Sequence, residues 1–126
     1  IQNMLEPDFN IQTIFNGETV ILPSEQATSL ALVINELIQN SIEHGFIGRR
    51  EGIIGIDIVC RDDAYQFAIY DNGVGLPEHA GRRSGTSLGL QIIRTLVETD
   101  LRGTFELVSR NGTYATITIP RIAIRK

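Results

Sequence analysis

Residues Ala64-Tyr65-Gln66-Phe67-Ala68-Ile69-Tyr70 alternate in polarity and run directly into Asp71-Asn72-Gly73-Val74-Gly75. A period of two predicts a half-buried strand, and the glycines that follow mark its abrupt end. Upstream, Gly52 to Cys60 places Ile54, Ile56, Ile58 and Cys60 on one face, and the Arg61-Asp62-Asp63 turn joins it to the first strand as a neighbour. Downstream, Gly103 to Ser109 and Thr113 to Ile119 read as a last hairpin, closed by Asn111-Gly112 and ended by Pro120. Toward the N-terminus, Asn10 to Ile21 reads as another short hairpin, with Ile11, Ile14 and Phe15 before Asn16-Gly17 and Val20-Ile21 after it.

Two helices interrupt these strands. Pro23-Ser24 opens the first, with Ser24 as N-cap, Glu25 in the first turn and Gly45 as the stop, about six turns later. Its apolar stripe is Ala27, Leu30, Ala31, Ile34, Leu37, Ile38 and Ser41. Ser87 to Asp100 forms the second, with Leu90, Ile93, Leu96 and Val97 inward. Between them, Asp71 to Gly85 is too polar and glycine-rich for a regular element and reads as a mobile lid. Helices and paired strands without strict βαβ alternation predict an α+β sandwich: two layers, with the helices on one face of a mixed, mostly antiparallel sheet. At 126 residues one domain over 1–126 is expected, with a basic tail at 121–126.

Composition narrows the function. Apolar residues are 42% and charged residues 21%, which suits a globular chain. The longest apolar run, Leu30 to Ile34, is five residues, and no basic segment followed by an apolar one opens the chain, so a cytoplasmic protein without membrane contact is expected. Eleven basic against fifteen acidic residues argue against a direct nucleic-acid surface. The sole lysine is Lys126, which leaves Walker-A phosphate binding, pyridoxal chemistry and the eukaryotic-type kinase lysine without their residue. The single cysteine, Cys60, with only two histidines, makes a structural zinc site improbable and reads as an apolar core residue.

Three clusters carry the chemistry. Glu36, Asn40 and His44 form one polar ridge on the first helix. There an amide oxygen offers a hard Mg²⁺ ligand, and a carboxylate one turn away can orient or deprotonate a nucleophile. Asp71, at a strand end beside Gly73 and Gly75, presents an acceptor next to backbone that a flat ring can approach. It would accept from the amine of adenine and face the carbonyl of guanine unfavourably. Gly85-Thr86-Ser87-Leu88-Gly89-Leu90 runs into a helix whose free N–H groups can hold phosphate oxygens without lysine, although it lacks the dinucleotide G-x-G-x-x-G spacing. Singly, these are also what a solvated helix face, an Asp-Asn-Gly turn and a capped helix look like. Their order in one small domain supplies a metal ligand, a base acceptor and a phosphate cradle.

With those residues in view, the chain from about Ile11 to Pro120 resembles the ATP-binding catalytic domain of bacterial sensor histidine kinases, within the gyrase, Hsp90, histidine kinase and MutL superfamily. Asn35 to His44 resembles the N-box, in its Glu-Leu-x-x-Asn form, Asp71 to Gly75 the G1 box and Gly85 to Leu90 the G2 box. Gly112-Thr113 resembles the closing glycine-threonine element. The resemblance implies a Bergerat-type sandwich that binds ATP and Mg²⁺ and transfers the γ-phosphoryl group to a histidine on a separate dimerisation domain of a longer kinase, for relay to a response regulator receiver domain. It implies Asn40 as the Mg²⁺ ligand, and Asn40, His44, Asp71, Gly73, Gly75, Gly85, Ser87, Leu88, Gly89, Leu90 and Thr113 as the ATP contacts. Glu36 takes the catalytic position, as base or as orienter of the acceptor imidazole. The fragment would be a monomer and the full protein a homodimer.

Some features depart from that family pattern. The phenylalanine-containing box between G1 and G2 is missing, and only the nine residues Leu76 to Ser84 separate Gly75 from Gly85. Arg82 and Arg83 in this short lid are within reach of a triphosphate, or simply surface residues. Neither His44 nor His79 lies in an acceptor motif. Three other readings stay open: an anti-sigma-factor serine kinase of the same fold, a non-catalytic nucleotide-sensing module, and gyrase-type hydrolysis, which the lack of a lysine disfavours.

Overall fold

The computed structural model describes residues 10–75 and 88–121. Strands β1 (Asn10–Gly17), β2 (Glu51–Cys60), β3 (Ala64–Asp71), β4 (Thr104–Ser109) and β5 (Thr113–Pro120) alternate with helices α1 (Ser24–Asn40) and α2 (Leu88–Thr95). They form one sheet in the order β1-β2-β3-β5-β4. Only the β1–β2 pair is parallel, and every other pair is antiparallel. Both helices end in a wider turn with i→i+5 bonding, Ser41–Gly45 after α1 and Leu96–Asp100 after α2.

Alternation along β3 and β5 decides where the helices lie. Tyr65, Phe67 and Ile69 share one face with Ala115, Ile117 and Ile119, and on that face Leu30, Val33 and Leu37 of α1 meet Ile93 and Val97. Val33, Ile93, Val97, Leu101, Ile117 and Ile119 are fully buried. Burial of each such side chain contributes about 1.5–3 kcal/mol. The two-layer sandwich with helices on one face is therefore as the sequence predicts.

Four readings change. Asn10 to Ile21 is not a hairpin. Asn16 and Gly17 continue β1 in register with Asp57 and Ile58, and Gly17 lacks the positive φ that a two-residue hairpin turn needs. A parallel partner requires a long crossover, which α1 supplies. The segment leaving β1 is anchored to the end of β2 instead, where the Cys60 N–H donates to Glu18 Oε1 at 2.6 Å.

Ser24 is the first residue of α1 rather than its N-cap; Pro23 holds the cap position, and no side chain caps the helix. Ala27 and Ala31 are exposed, because the buried stripe is Leu30, Val33, Leu37 and Ser41. The larger side chains gain more from burial and set the rotation of α1. Ser29 fixes that rotation by donating to Asp100 Oδ2 at 2.7 Å. Cys60 is half-buried rather than a core residue. Burial and the Glu18 carboxylate both push its thiol pKa upward.

Among the described residues, no helix is long and apolar enough to cross a membrane.

Candidate functional site

Because β3 directs its odd-numbered residues toward the helices, Asp71 arrives at the core face at the strand's end, directly under the end of α1. It is 3% exposed. Burying a carboxylate is costly unless it is hydrogen-bonded, and here the protein supplies four donors. Asp71 Oδ1 accepts from the backbone N–H of Gly73 at 2.8 Å and of Thr113 at 3.1 Å. Oδ2 accepts from the Ser41 hydroxyl at 2.6 Å and, in a short bond, from the Thr113 hydroxyl. These fill roughly four acceptor positions. The two backbone donors are fixed, whereas the two hydroxyls can rotate.

The loop after Asp71 is clamped from two sides. Val74 N–H donates to the Gly45 carbonyl at 2.7 Å, and a Cβ on Gly73 would lie 2.0 Å from that same carbonyl oxygen. Only glycine permits this approach. On the other side, Asn72 extends the pairing with β2: its Oδ1 accepts from Ile53 N–H at 2.8 Å, and Arg49 Nη1 donates to its carbonyl at 2.9 Å. Gly112, at φ 127°, turns the β4–β5 connection tightly past the Asp71 carbonyl and so delivers Thr113.

One helix end makes both contacts through its terminal wide turn. Ser41 and Gly45 are both buried and both face the Asp71 loop, the first through its hydroxyl and the second through its carbonyl. Wide turns of this kind recur at functional sites.

Glu36 and Asn40 are half-buried on α1. A Cβ on Gly89 would lie 2.6 Å from Glu36 Oε2, so the first turn of α2 packs against the Glu36 carboxylate. The Glu36 cluster and the α2 cluster are thereby brought together. Five residues along α1, a rise of about 7.5 Å, separate the Glu36 contact from the Ser41 contact with Asp71, and Asn40 lies between them.

Leu90 packs on the core, while Leu88 is 72% exposed. Gly75, at φ 86°, abuts the Ser109 hydroxyl. The His44 side chain is 72% exposed, 3.8 Å from Glu43 Oε1, and does not join the Asp71 cluster. Gly85, Ser87, His79, Arg82 and Arg83 lie outside the described residues, as does the lid after Gly75, whereas Asp71, read from the sequence as the lid's first residue, is the last residue of β3.

Sequence reasoning missed Ser41, Arg49 and Asn72 as parts of the site. Ser41 left a signal, since a hydroxyl within an apolar helical stripe needs a buried partner. Arg49 left none.

Known proteins resemble this chain over most of its length. The family described as "Histidine kinase-, DNA gyrase B-, and HSP90-like ATPase" matches residues 25–123. The sensor histidine kinase PdtaS of Mycobacterium tuberculosis is 36% identical over 107 residues, covering 82% of this chain and 21% of that protein. This chain thus spans about a fifth of that relative. The histidine kinase domain of an Erythrobacter litoralis blue-light-activated histidine kinase superimposes with a TM-score of 0.78 at 26% identity, covering 87% of this chain and 51% of that one. A shorter stretch of 52 residues, 41% of this chain and 36% of the other, is 35% identical to an anti-sigma F factor of Bacillus cytotoxicus.

Proposed function

The chain belongs to the histidine kinase-, DNA gyrase B- and HSP90-like ATPase family, and from that premise we propose that it binds Mg-ATP as the catalytic domain of a cytoplasmic sensor histidine kinase. The observation that carries this reading is the buried Asp71 carboxylate with its four donors. Its two backbone donors hold the carboxylate in place, and the Ser41 and Thr113 hydroxyls can rotate away from Oδ2 to admit an incoming N–H donor such as the amine of adenine. Guanine would bring a carbonyl oxygen to the same place, leaving unpaired groups that cost roughly 1–3 kcal/mol.

On this reading Gly73 and Gly75 line the base side, and Thr113 holds Asp71 in position. Leu88, Gly89 and Leu90 belong to the helix start that receives the phosphates, and Gly85 and Ser87 of the same sequence cluster are proposed as further phosphate contacts. His44 borders the site. Among the described residues no cluster of three or more acidic, histidine or cysteine side chains is present to cage a metal. Mg²⁺ takes one or two protein oxygens and completes its shell with phosphates and water; Asn40 would be the protein ligand. When bound, the ion neutralises phosphate charge. Glu36, beside Gly89, orients the acceptor imidazole, which belongs to a dimerisation and phosphoacceptor domain elsewhere in the same protein. A response regulator receiver domain then takes the phosphoryl group.

Calorimetric titration with ATP and with GTP, each with and without Mg²⁺, tests the binding step. Selective, Mg²⁺-enhanced binding of ATP is expected, and absence of binding to either nucleotide overturns it. The anti-sigma F similarity favours a second reading, serine phosphorylation of a protein partner by the same site. Acid treatment of the phosphorylated product separates the two, because phosphohistidine is lost and phosphoserine survives.

A further inference from the structure

Backbone bonds pin the loop after Asp71 on either side of one peptide unit. The Asn72 N–H donates to the Ile53 carbonyl at 3.2 Å, and the Val74 N–H to the Gly45 carbonyl at 2.7 Å. Between them lies the peptide that joins Asn72 to Gly73. Because a peptide is planar and trans, its carbonyl and its N–H point to opposite sides, and whatever holds one end aims the other. The N–H end, from Gly73, donates to Asp71 Oδ1 at 2.8 Å. The carbonyl end, from Asn72, accepts from Arg49 Nη1 at 2.9 Å.

A half-turn of this peptide would withdraw the Gly73 N–H from Asp71 and swing the Asn72 carbonyl toward the carboxylate. Gly73 does not have a positive φ in this structure, but glycine adopts one at no steric cost. The close approach to the Gly45 carbonyl thus demands the one residue type that also makes the turn cheap. The Asn72 side chain is spent on the Ile53 N–H at 2.8 Å, which leaves the Asn72 carbonyl to Arg49. With the guanidinium at the carbonyl end and the Asp71 carboxylate at the N–H end, both charges align with the peptide dipole. Hydrogen bonds in such a chain polarise one another.

We infer that Arg49 is a positioning residue that locks the Asn72–Gly73 peptide and, through it, the Asp71 acceptor. The consequence for nucleotide affinity rests on the reading of Asp71 as the base acceptor, whereas the lock itself does not.

Arg49 is exposed, so its replacement leaves the core intact. Arg49→Met keeps an unbranched stem and removes the donor, while Arg49→Lys keeps a cationic donor for a single bond. The amide proton resonances of Gly73 and Thr113 read the lock directly, since both groups donate to Asp71 Oδ1 and neither receives the Arg49 bond. In Arg49→Met the Gly73 proton should move upfield, as a weaker hydrogen bond leaves it more shielded, and the Thr113 proton should shift as well. Arg49→Lys should return both toward their starting positions. Calorimetric titration should find adenosine and ATP weakened by the same factor in Arg49→Met, about three- to tenfold, the worth of one hydrogen bond. Arg49→Lys should stay within about twofold of the starting chain, because one donor suffices. Unchanged Gly73 and Thr113 resonances in Arg49→Met overturn the inference. So does a loss confined to ATP, which would put the guanidinium on the phosphates. If the starting chain binds neither ligand, the nucleotide reading falls and the two resonances alone decide the lock.

Discussion

Ser41→Ala should move stability and nucleotide affinity in opposite directions. In the described structure the Ser41 hydroxyl donates to Asp71 Oδ2 at 2.6 Å, and the Thr113 hydroxyl donates to the same oxygen. An adenine amine arriving at that oxygen must compete with one of them. Removing the Ser41 hydroxyl deletes a charge-assisted bond, worth about 1.5–3 kcal/mol, and the three donors that remain put the loss near the lower end. No orphaned group is left, because alanine has no hydroxyl. For a domain of this size the melting temperature should fall by about 6 °C. The freed acceptor position, in contrast, spares the amine a competition worth about 0.5–1.5 kcal/mol, so ATP should bind roughly two- to tenfold more tightly. Thermal unfolding and calorimetric titration of the same preparation read both effects. Weaker ATP binding with unchanged stability would refute the reasoning, because it would mean that Ser41 serves the nucleotide directly and not the carboxylate.

Asp71→Asn should weaken ATP binding at least about tenfold by presenting a donor where the amine needs an acceptor, measured by the same titration. Gly73→Ala drives a Cβ to 2.0 Å from the Gly45 carbonyl oxygen, so the loop must shift; a loss of about 2–3 kcal/mol in denaturant unfolding is expected, together with loss of ATP binding. Burial, and then the Asp57 carboxylate and Tyr114, push the Tyr70 phenol upward. Spectrophotometric titration should find one tyrosine ionising above the usual value near 10, and Asp57→Asn should lower it. Since folding favours the neutral phenol, its contribution holds at neutral pH and should be lost as pH rises above about 10.

The readable parts were those where local pattern and tertiary demand coincide. The alternation of β3 made both the strand and the terminal position of Asp71 legible, because one period sets which face each residue takes. The Asn16-Gly17 signal failed because it reports only what an isolated turn prefers. Eight residue pairs with β2 outweigh that preference. The alanines of α1 were assigned inward by spacing alone, but spacing fits two adjacent rotations of a helix, and Val33 and Leu30 choose between them. Arg49 was illegible because its partner, the Asn72 carbonyl, is a backbone atom 23 positions away, and nothing in the local sequence marks it.

One helix connects these observations. The buried stripe of α1 fixes its rotation on the sheet, and that rotation leaves Glu36 and Asn40 half-buried at one margin and sends Ser41 inward. At its end the helix widens, and Ser41 and Gly45 both seat on the Asp71 loop. The same helix meets the start of α2 through the Glu36–Gly89 contact. Asp71 and the start of α2 therefore share one rigid ruler, and a change that rotates α1 disturbs both ends of the proposed site together. A change in the exposed Ala27–Ala31 surface, which sets neither the rotation nor the ends, leaves both in place.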